Sequence, residues 1–402
     1  MTEKLFGGSR ICAVCGDNQK RILFQQKFSR LSSGSLMSSY NVVVCQNCGF
    51  AFADDIPDQK EFDIYYREMS KYEHLDRAGE PSEFEIRQFP ALASLFQQHI
   101  STPQSHVLEI GCANGGLLNA LKHDGYQNIL GIDPSPVCAQ NAEKLYQIRV
   151  LTSALSDVKP DEIGTFNFII LVAVLEHIKD LDKALNKING LLDRDGKLYI
   201  EVPDVTQFTS SLDAPFQEFS IEHINFFSPI SLANIMRAHG FEQVYASQTS
   251  YEQTDTHTGY ALRMIFQKIH VDNTFTPLYD SESEAGIVKY VEASQKVENR
   301  IHRTVNDLVE SQQSFIVWGV GTHTQRLLAT SKLSSANISV FVDANPNYHG
   351  KTLNNIPVIS PEQLIEKNDP ILVSSRIFQS EIVQKIQSEL KLKNQILTLY
   401  ED

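Results

Sequence analysis

The sequence predicts an α/β protein made of two doubly wound sheets behind a small metal-binding ribbon. Three observations carry this. Two Cys-x-x-Cys pairs open the chain, and two separate stretches each read as an apolar strand, a glycine-rich turn and a helix, then a second strand ending in aspartate. With 402 residues, 42% hydrophobic and 21% charged, the chain is too long for one ordinary core and has the composition of a globular protein.

The remaining bulk properties exclude some functions. No run approaches the roughly 18 apolar residues of a membrane-spanning helix, and the first ten residues hold no apolar signal core. A cytoplasmic location with no membrane partner is the expectation. Thirty-five basic residues against 49 acidic ones give a net charge of −14, which repels a phosphate backbone and argues against nucleic acid as a partner. That argument is weaker for a nucleotide-sized ligand, whose pocket can offset the global charge.

Cys12, Cys15, Cys45 and Cys48 form C-x2-C-x29-C-x2-C. Two residues between thiolates let a knuckle aim both sulfurs at one ion, and Gly16 and Gly49 relieve the backbone after each pair. Four thiolates leave no open position, so the pattern predicts a structural zinc ribbon spanning residues 1–60, with Val42-Val43-Val44 as strand. A redox dithiol is the competing reading, and a second pair is superfluous to it. Cys112 and Cys138 read as small buried hydrophobes. The aromatic run from Phe62 to Tyr72 either packs the ribbon on its neighbour or covers a pocket. Packing is the reading for most of it, with Tyr72 kept as a substrate-site candidate.

The middle stretch, residues 61–275, begins its sheet with His106 to Ile110, followed by Gly111-Cys112-Ala113-Asn114-Gly115-Gly116 and a helix. A glycine turn lets backbone N–H groups approach a ligand. The next strand, from Ile129, delivers Asp133, whose carboxylate suits a ribose diol. The turn is not G-x-G-x-x-G, and Glu109 just before it disfavours a pyrophosphate. A sulfonium ligand without phosphate suits the acidic strand end, which points to S-adenosylmethionine. Glu109, Gly111, Ala113, Asn114, Gly115, Asp133, Pro134 and Val172 are the predicted cofactor residues. Phe166 to Val172 is a central parallel strand; Val174 to Ile178 follows, then a helix from Leu181 to Leu192 and a strand from Lys197 to Val202. Glu176 and His177 are read as holding the loop beneath the cofactor rather than as catalytic. Together, Glu109-Ile-Gly111-Cys-Ala113-Asn114-Gly115, Gly131-Ile-Asp133-Pro134-Ser135 and Val174-Leu-Glu-His-Ile178 resemble the class I methyltransferase superfamily, whose fold is the doubly wound core predicted here.

Ser228 and Pro229 are a good N-cap and first residue for a helix reaching Gly240. Glu222, His223 and Asn225 therefore lie just ahead of a helix N-terminus, near the carboxyl ends of the strands. His223 as a general base oriented by Glu222, and a Glu222-His223 pair that ties the loop down, fit the spacing equally.

The final stretch, residues 276–402, opens on a long helix-compatible connector from Asp280 to Gln313. Strand Phe315 to Trp318, the turn Gly319-Val320-Gly321-Thr322-His323, a helix from Gln325, and strands at 338–343, 371–374 and 395–399 with a helix at 381–390 complete a second Rossmann-like sheet. Its incomplete glycine loop is a weak dinucleotide signal.

A four-cysteine ribbon, a methyltransferase core, Glu222-His223-x-x-Phe226-Phe227-Ser228 and a C-terminal α/β domain, in that order, resemble the three-domain nucleotide-sugar C-methyltransferases. The resemblance implies methylation of carbon 3 of a nucleotide-linked 4-keto-deoxy sugar, with His223 removing the proton. It also implies that Gly319, Gly321, Thr322 and His323 lie near the phosphates of the nucleotide sugar; Asn225, beside His223 ahead of the helix, is a further substrate-site candidate. Two residues before Glu222, where that family commonly carries a tyrosine, this chain has Ser220. A degenerate, purely structural C-terminal sheet is the alternative there, and His323 is an alternative base if the cleft lies between the sheets. O- or N-methyl transfer to a sugar or small metabolite, and a non-catalytic binding protein, are the rival readings of the whole chain.

Overall fold

The computed structural model describes residues 8–69, 79–210, 212, 214–254, 257–270 and 275–400. Tyr72 lies outside them.

The β-branched run of Val42 to Val44 sits in the middle of the first sheet. β1 (Lys20–Lys27), β2 (Ser39–Cys45) and β3 (Ala51–Asp54) pair antiparallel. Both cysteine knuckles close alike, the N–H of Gly16 donating to the carbonyl of Cys12 and that of Gly49 to the carbonyl of Cys45, each at 2.9 Å. Both glycines have positive φ, +72° and +82°, which only glycine adopts without strain. Two helices, α1 (Gln59–Glu68) and α2 (Glu83–Gln97), lead to the second sheet; Ser82 and Glu85 form a capping box at the start of α2.

That sheet follows in chain order. Its elements are β4 (Val107–Ile110), α3 (Gly116–His123), β5 (Ile129–Asp133), α4 (Pro136–Tyr146), β6 (Val150–Thr152), α5 (Pro160–Ile163), β7 (Phe166–Val172), α6 (Leu181–Leu191) and β8 (Leu192–Pro203). The short β9 (Asn225–Phe226) leaves the sheet. α7 (Pro229–Ala238), β10 (Phe241–Thr254) and β11 (His257–Lys268) complete it. The strand order is β10-β11-β8-β7-β4-β5-β6, parallel from β8 to β6 and antiparallel at β11 and β10. The chain runs outward from β4 through β5 to β6 and then returns to the far side of β4. The order therefore reverses between β4 and β7, and a crevice opens at their carboxyl ends.

After α8 (Ser281–Glu310), the third sheet is built from β12 (Phe315–Trp318), α9 (Thr322–Thr330), β13 (Ile338–Val342), β14 (Thr352–Leu353), β15 (Ile356–Ile359), β16 (Ile371–Val373), α10 (Gln379–Gln384) and β17 (Ile396–Thr398). Its order is β14-β15-β13-β12-β16-β17, parallel except at β14.

The architecture is the anticipated mixed α/β one, with several local differences. β8 begins five residues before Lys197, because Leu192 already pairs with Phe166 beyond a bulge. The helix after Gly321 starts at Thr322. The helix expected over 381–390 is α10 followed by a wider π turn over 385–389. The hairpin of β10 and β11 was not foreseen. Most consequential is β9, which joins the edge of the ribbon sheet, Phe52 opposite Asn225 and Ala51 opposite Phe226. The ribbon thus pairs with the segment that follows His223.

The ribbon also reaches the third sheet. Leu31 bridges Leu353, the N–H of Ser32 donates to the Thr352 carbonyl and that of Ser29 to the Gln325 carbonyl, both at 2.8 Å. Stacked rings of Phe50, Phe52 and Phe227, and a cluster of Phe24, Phe216, Phe219, Phe226 and Tyr290, fill the seams. Among the described residues no helix is long and apolar enough to cross a membrane.

Candidate active site

The crevice at the strand reversal is a cavity of about 1130 Å³. Gly111 lines it at the end of β4, Asp133 and Pro134 at the end of β5, and Val172 at the end of β7. Gly111 has φ +73°, and a Cβ there would lie 2.5 Å from Val174, so the close approach requires glycine. Ala113 and Ala173 hold left-handed backbone, φ +45° and +53°, on either side of this cradle.

Asp133 organises the turn. Its carboxylate accepts the N–H of Ala113 and of Ser135, each at 2.9 Å. Burial pushes its pKa up, and those two N–H bonds pull it back. Glu109 is buried beneath, one carboxylate oxygen has no hydrogen-bond partner among the described residues, and its pKa is well above the usual carboxylate range through burial and the nearby Asp133. Glu109 does not itself line the cavity, and a buried acidic residue beneath the glycine turn does not fit a pyrophosphate. Ala113, Asn114 and Gly115 form the turn behind the cavity wall, Asn114 accepting from Asn141 at 3.1 Å. The floor also includes Ser153, Ala154 and Leu155 after β6, which nothing in their residue types announced.

The same cavity is also lined by Tyr66, His177, Glu222 and His223. Packing in the aromatic run goes with lining: Phe62 and Tyr65 are buried in the core, whereas Tyr66 faces the cavity. His177 Nδ1 lies 2.9 Å from the Tyr66 hydroxyl and 3.1 Å from the Glu222 carbonyl. The His177 and His223 rings meet edge to face with centroids 5.0 Å apart. Donor atoms of Glu176, His177 and His223 all lie within 4.8 Å of one another, a cluster able to pass a proton or take up a cation. His177, read from sequence as a loop-holding residue, therefore also lines the cavity beside His223. The spacing between residues 177 and 223 carried no signal of this.

Two expectations change. Asn225 does not line the cavity. It is buried, and its amide donates to the carbonyls of Leu175 and Ile178 at 3.0 and 2.8 Å while accepting from Arg10 at 2.8 Å. It fastens the His223 loop to the His177 loop, because a short side chain with donor and acceptor satisfies backbone groups that no water reaches. The Glu222 carboxylate is engaged by a different group from the one expected: its Oε1 accepts the Tyr65 hydroxyl at 3.1 Å.

Gly319, Gly321, Thr322 and His323 form the matching turn of the third sheet, away from this cavity. The geometry repeats: the N–H of Val320 donates to Asp343 at 2.8 Å, as that of Ala113 does to Asp133. His323 Nε2 is 2.9 Å from the Tyr400 hydroxyl, and burial pulls the imidazole down to about 4. It stands outside the cleft that holds His223.

At the ribbon tip, Cys12 and Cys48 sulfurs are 3.5 Å apart, as are those of Cys15 and Cys45, and all four gather within 4.8 Å. The separation of sulfurs around a tetrahedral ion with bonds of about 2.3 Å is about 3.8 Å. The four cysteines are positioned to bind a metal. Cys112 and Cys138 are buried, as read from sequence.

Comparison with known proteins agrees with this geometry. Residues 84–246 match the family model described as a methyltransferase domain, and residues 311–397 match one described as C2185-like, N-terminal. The C-methyltransferase NovU of Streptomyces niveus is 23% identical over 349 residues, covering 83% of this chain and 79% of that protein. The bovine mitochondrial ubiquinone biosynthesis O-methyltransferase is 27% identical over 150 residues, covering 33% of this chain and 40% of that one. Among solved structures, the magnesium protoporphyrin IX methyltransferase of Synechocystis PCC 6803 with bound SAH aligns at a TM-score of 0.41 and 16% identity, over 52% of this chain and all of that one. Residues 84–246 carry a methyltransferase domain, and the chain is a methyltransferase.

Proposed function

We propose that the protein C-methylates a nucleotide-linked 4-keto-deoxy sugar, with His223 as the general base. The observation that carries this reading is the continuity of one cavity from Gly111 and Asp133 to the paired histidines His177 and His223. A methyl donor held at one end and a base at the other suit abstraction of a proton followed by carbon alkylation.

Gly111 and Asp133 would hold S-adenosylmethionine, through close backbone approach and the ribose diol, with Glu109 buried beside them. Bound there, it supplies an electrophilic methyl group. His223 accepts the proton from the carbon beside the 4-keto group, and the carbon–hydrogen electron pair moves into the enolate. His177 and Tyr66 line the same cavity. Cys12, Cys15, Cys45 and Cys48 would hold a structural zinc, which keeps the ribbon edge rigid for β9. The third sheet, in a three-domain organisation with boundaries near residues 60 and 275, would hold the nucleotide through the turn from Gly319 to His323.

Similarity to a C-methyltransferase over 83% of the chain supports carbon transfer. The similarity to ubiquinone biosynthesis O-methyltransferases extends over 33–48% of the chain, less than that to the C-methyltransferase. The test is transfer of a carbon-13-labelled methyl from S-adenosylmethionine to a panel of 4-keto-deoxy nucleotide sugars, read by carbon NMR. A carbon-bound methyl signal is expected. A heteroatom-bound methyl would overturn the reading. His223→Ala is expected to lower kcat by about 10²–10⁴-fold.

A further inference from the structure

Glu218 lies outside the cavity and outside every motif considered above, yet its Oε2 stands 3.9 Å from His223 Nδ1. The side chain is 14% exposed, and that of His223 is 27% exposed. Glu222, adjacent to His223 in sequence, is turned to the Tyr65 hydroxyl instead.

The loop between Glu218 and His223 is held from several directions. The Glu218 N–H donates to the Tyr290 hydroxyl at 2.9 Å, and Tyr290 is itself buried in α8. Ser220 Oγ accepts the N–H groups of Glu222 and His223 at 3.2 and 3.1 Å, which folds the chain back so that residue 223 returns beside residue 218. Phe219 is fully buried between them. Burial pushes the Glu218 carboxyl up to about 7, into the range where an imidazole also titrates.

We propose that Glu218 is the carboxylate that positions His223, selecting the tautomer with hydrogen on Nδ1 and leaving Nε2 as the basic nitrogen. This rests on His223 being the base. Glu218 acts through the ring and does not itself meet the acceptor. A carboxylate behind a histidine fixes its tautomer and orientation and stabilises the imidazolium that forms on proton abstraction.

The experiment compares wild type, Glu218→Gln and Glu218→Asp, with imidazole nitrogens labelled and His223 assigned by its absence in His223→Ala. In wild type the nitrogen-15 shifts should show a protonated Nδ1; in Glu218→Gln they should move toward a tautomer mixture. With the acceptor that wild type methylates, Glu218→Gln should lose about 10–100-fold in kcat, short of the roughly 10⁴-fold lost when a fully hydrogen-bonded partner is neutralised. KM and S-adenosylhomocysteine affinity should hold within about 2-fold. Glu218→Asp should recover part of the loss. Unchanged His223 shifts in Glu218→Gln would overturn the proposal, whatever the activity. A loss of S-adenosylhomocysteine binding together with a raised KM would also overturn it, as the mark of a structural residue. Failure of the base reading shows separately, as wild-type turnover in His223→Ala.

Discussion

Arg10 Nη2 donates to the side-chain oxygen of Asn225 at 2.8 Å, across 215 residues of sequence. The same guanidinium donates to the carbonyls of Ala53 and Ile224 at 2.9 and 3.0 Å and to that of Lys179 at 3.2 Å. One buried side chain, two residues before the first metal-site cysteine, therefore grips β3 and the loops carrying His177 and His223. Burial lowers its pKa to about 10, with Asp54 opposing, so it stays charged near neutrality.

Arg10→Met should accordingly misplace the histidines without touching the methyl-donor cradle. Loss of several charge-assisted bonds predicts a stability decrease of about 2–4 kcal/mol. Turnover should fall about 10-fold or more while S-adenosylhomocysteine affinity changes less than about 3-fold. Calorimetric binding next to steady-state kinetics checks this; equal losses in both would place Arg10 in the general stability of the fold instead.

Metal removal should act on the same loop. β9 pairs with β3, and the carbonyl of Cys48 accepts the N–H of Asp280, whose carboxylate in turn accepts the Ser228 hydroxyl at 2.7 Å. Cys45→Ser, or a strong chelator, should lower metal content and melting temperature together and abolish methyl transfer. Metal analysis that finds zinc retained in Cys45→Ser would count against the four-cysteine site.

Asp133→Asn keeps the size of the side chain and removes its charge. A lost charged hydrogen bond of about 1.5–3 kcal/mol predicts roughly 10- to 100-fold weaker S-adenosylmethionine binding. Unchanged affinity by titration calorimetry would remove the ribose assignment.

Glu218 also predicts a pH dependence of stability. Its folded pKa of about 7 lies above the ordinary 4.5, so the fold favours the protonated form. Below 4.5 both folded and unfolded chains are protonated and nothing is lost. As pH rises through 7 the folded chain must hold a buried charge, at a cost on the order of 2–3 kcal/mol. Glu218→Gln should therefore match wild type near pH 4.5 and be the more stable of the two at pH 8. Denaturant midpoints at both values decide it, and a less stable variant at pH 8 would contradict the burial argument. Greater stability with lower turnover is what a strained site residue predicts.

The glycine turn and the aspartate that line the cavity were legible in the sequence because their signals are local. Gly111 must be glycine where its φ is +73°, and Asp133 ends a short apolar strand. The cysteine knuckles were legible for the same reason, each being a turn of a few residues closed on itself. Four strands of the third sheet followed from their apolar runs, whereas β14 and β15, the start of α9 and the π turn after α10 were not foreseen. The histidine end of the cavity was only half visible. His223 stood out beside a helix cap, but its neighbours come from residues 66, 177 and 218, and no periodicity links those positions.

By itself the sequence determined the α/β class, the metal knuckles and the glycine and aspartate that line one end of the cavity, since short-range backbone sterics and strand hydrophobicity act within a few residues. Only the tertiary structure decided that Asn225 fastens loops, that Arg10 joins them to the ribbon, that Glu222 turns to Tyr65 and that Glu218 faces His223. Those outcomes depend on which buried polar groups find partners once distant segments meet, a competition settled by packing and desolvation rather than by spacing along the chain.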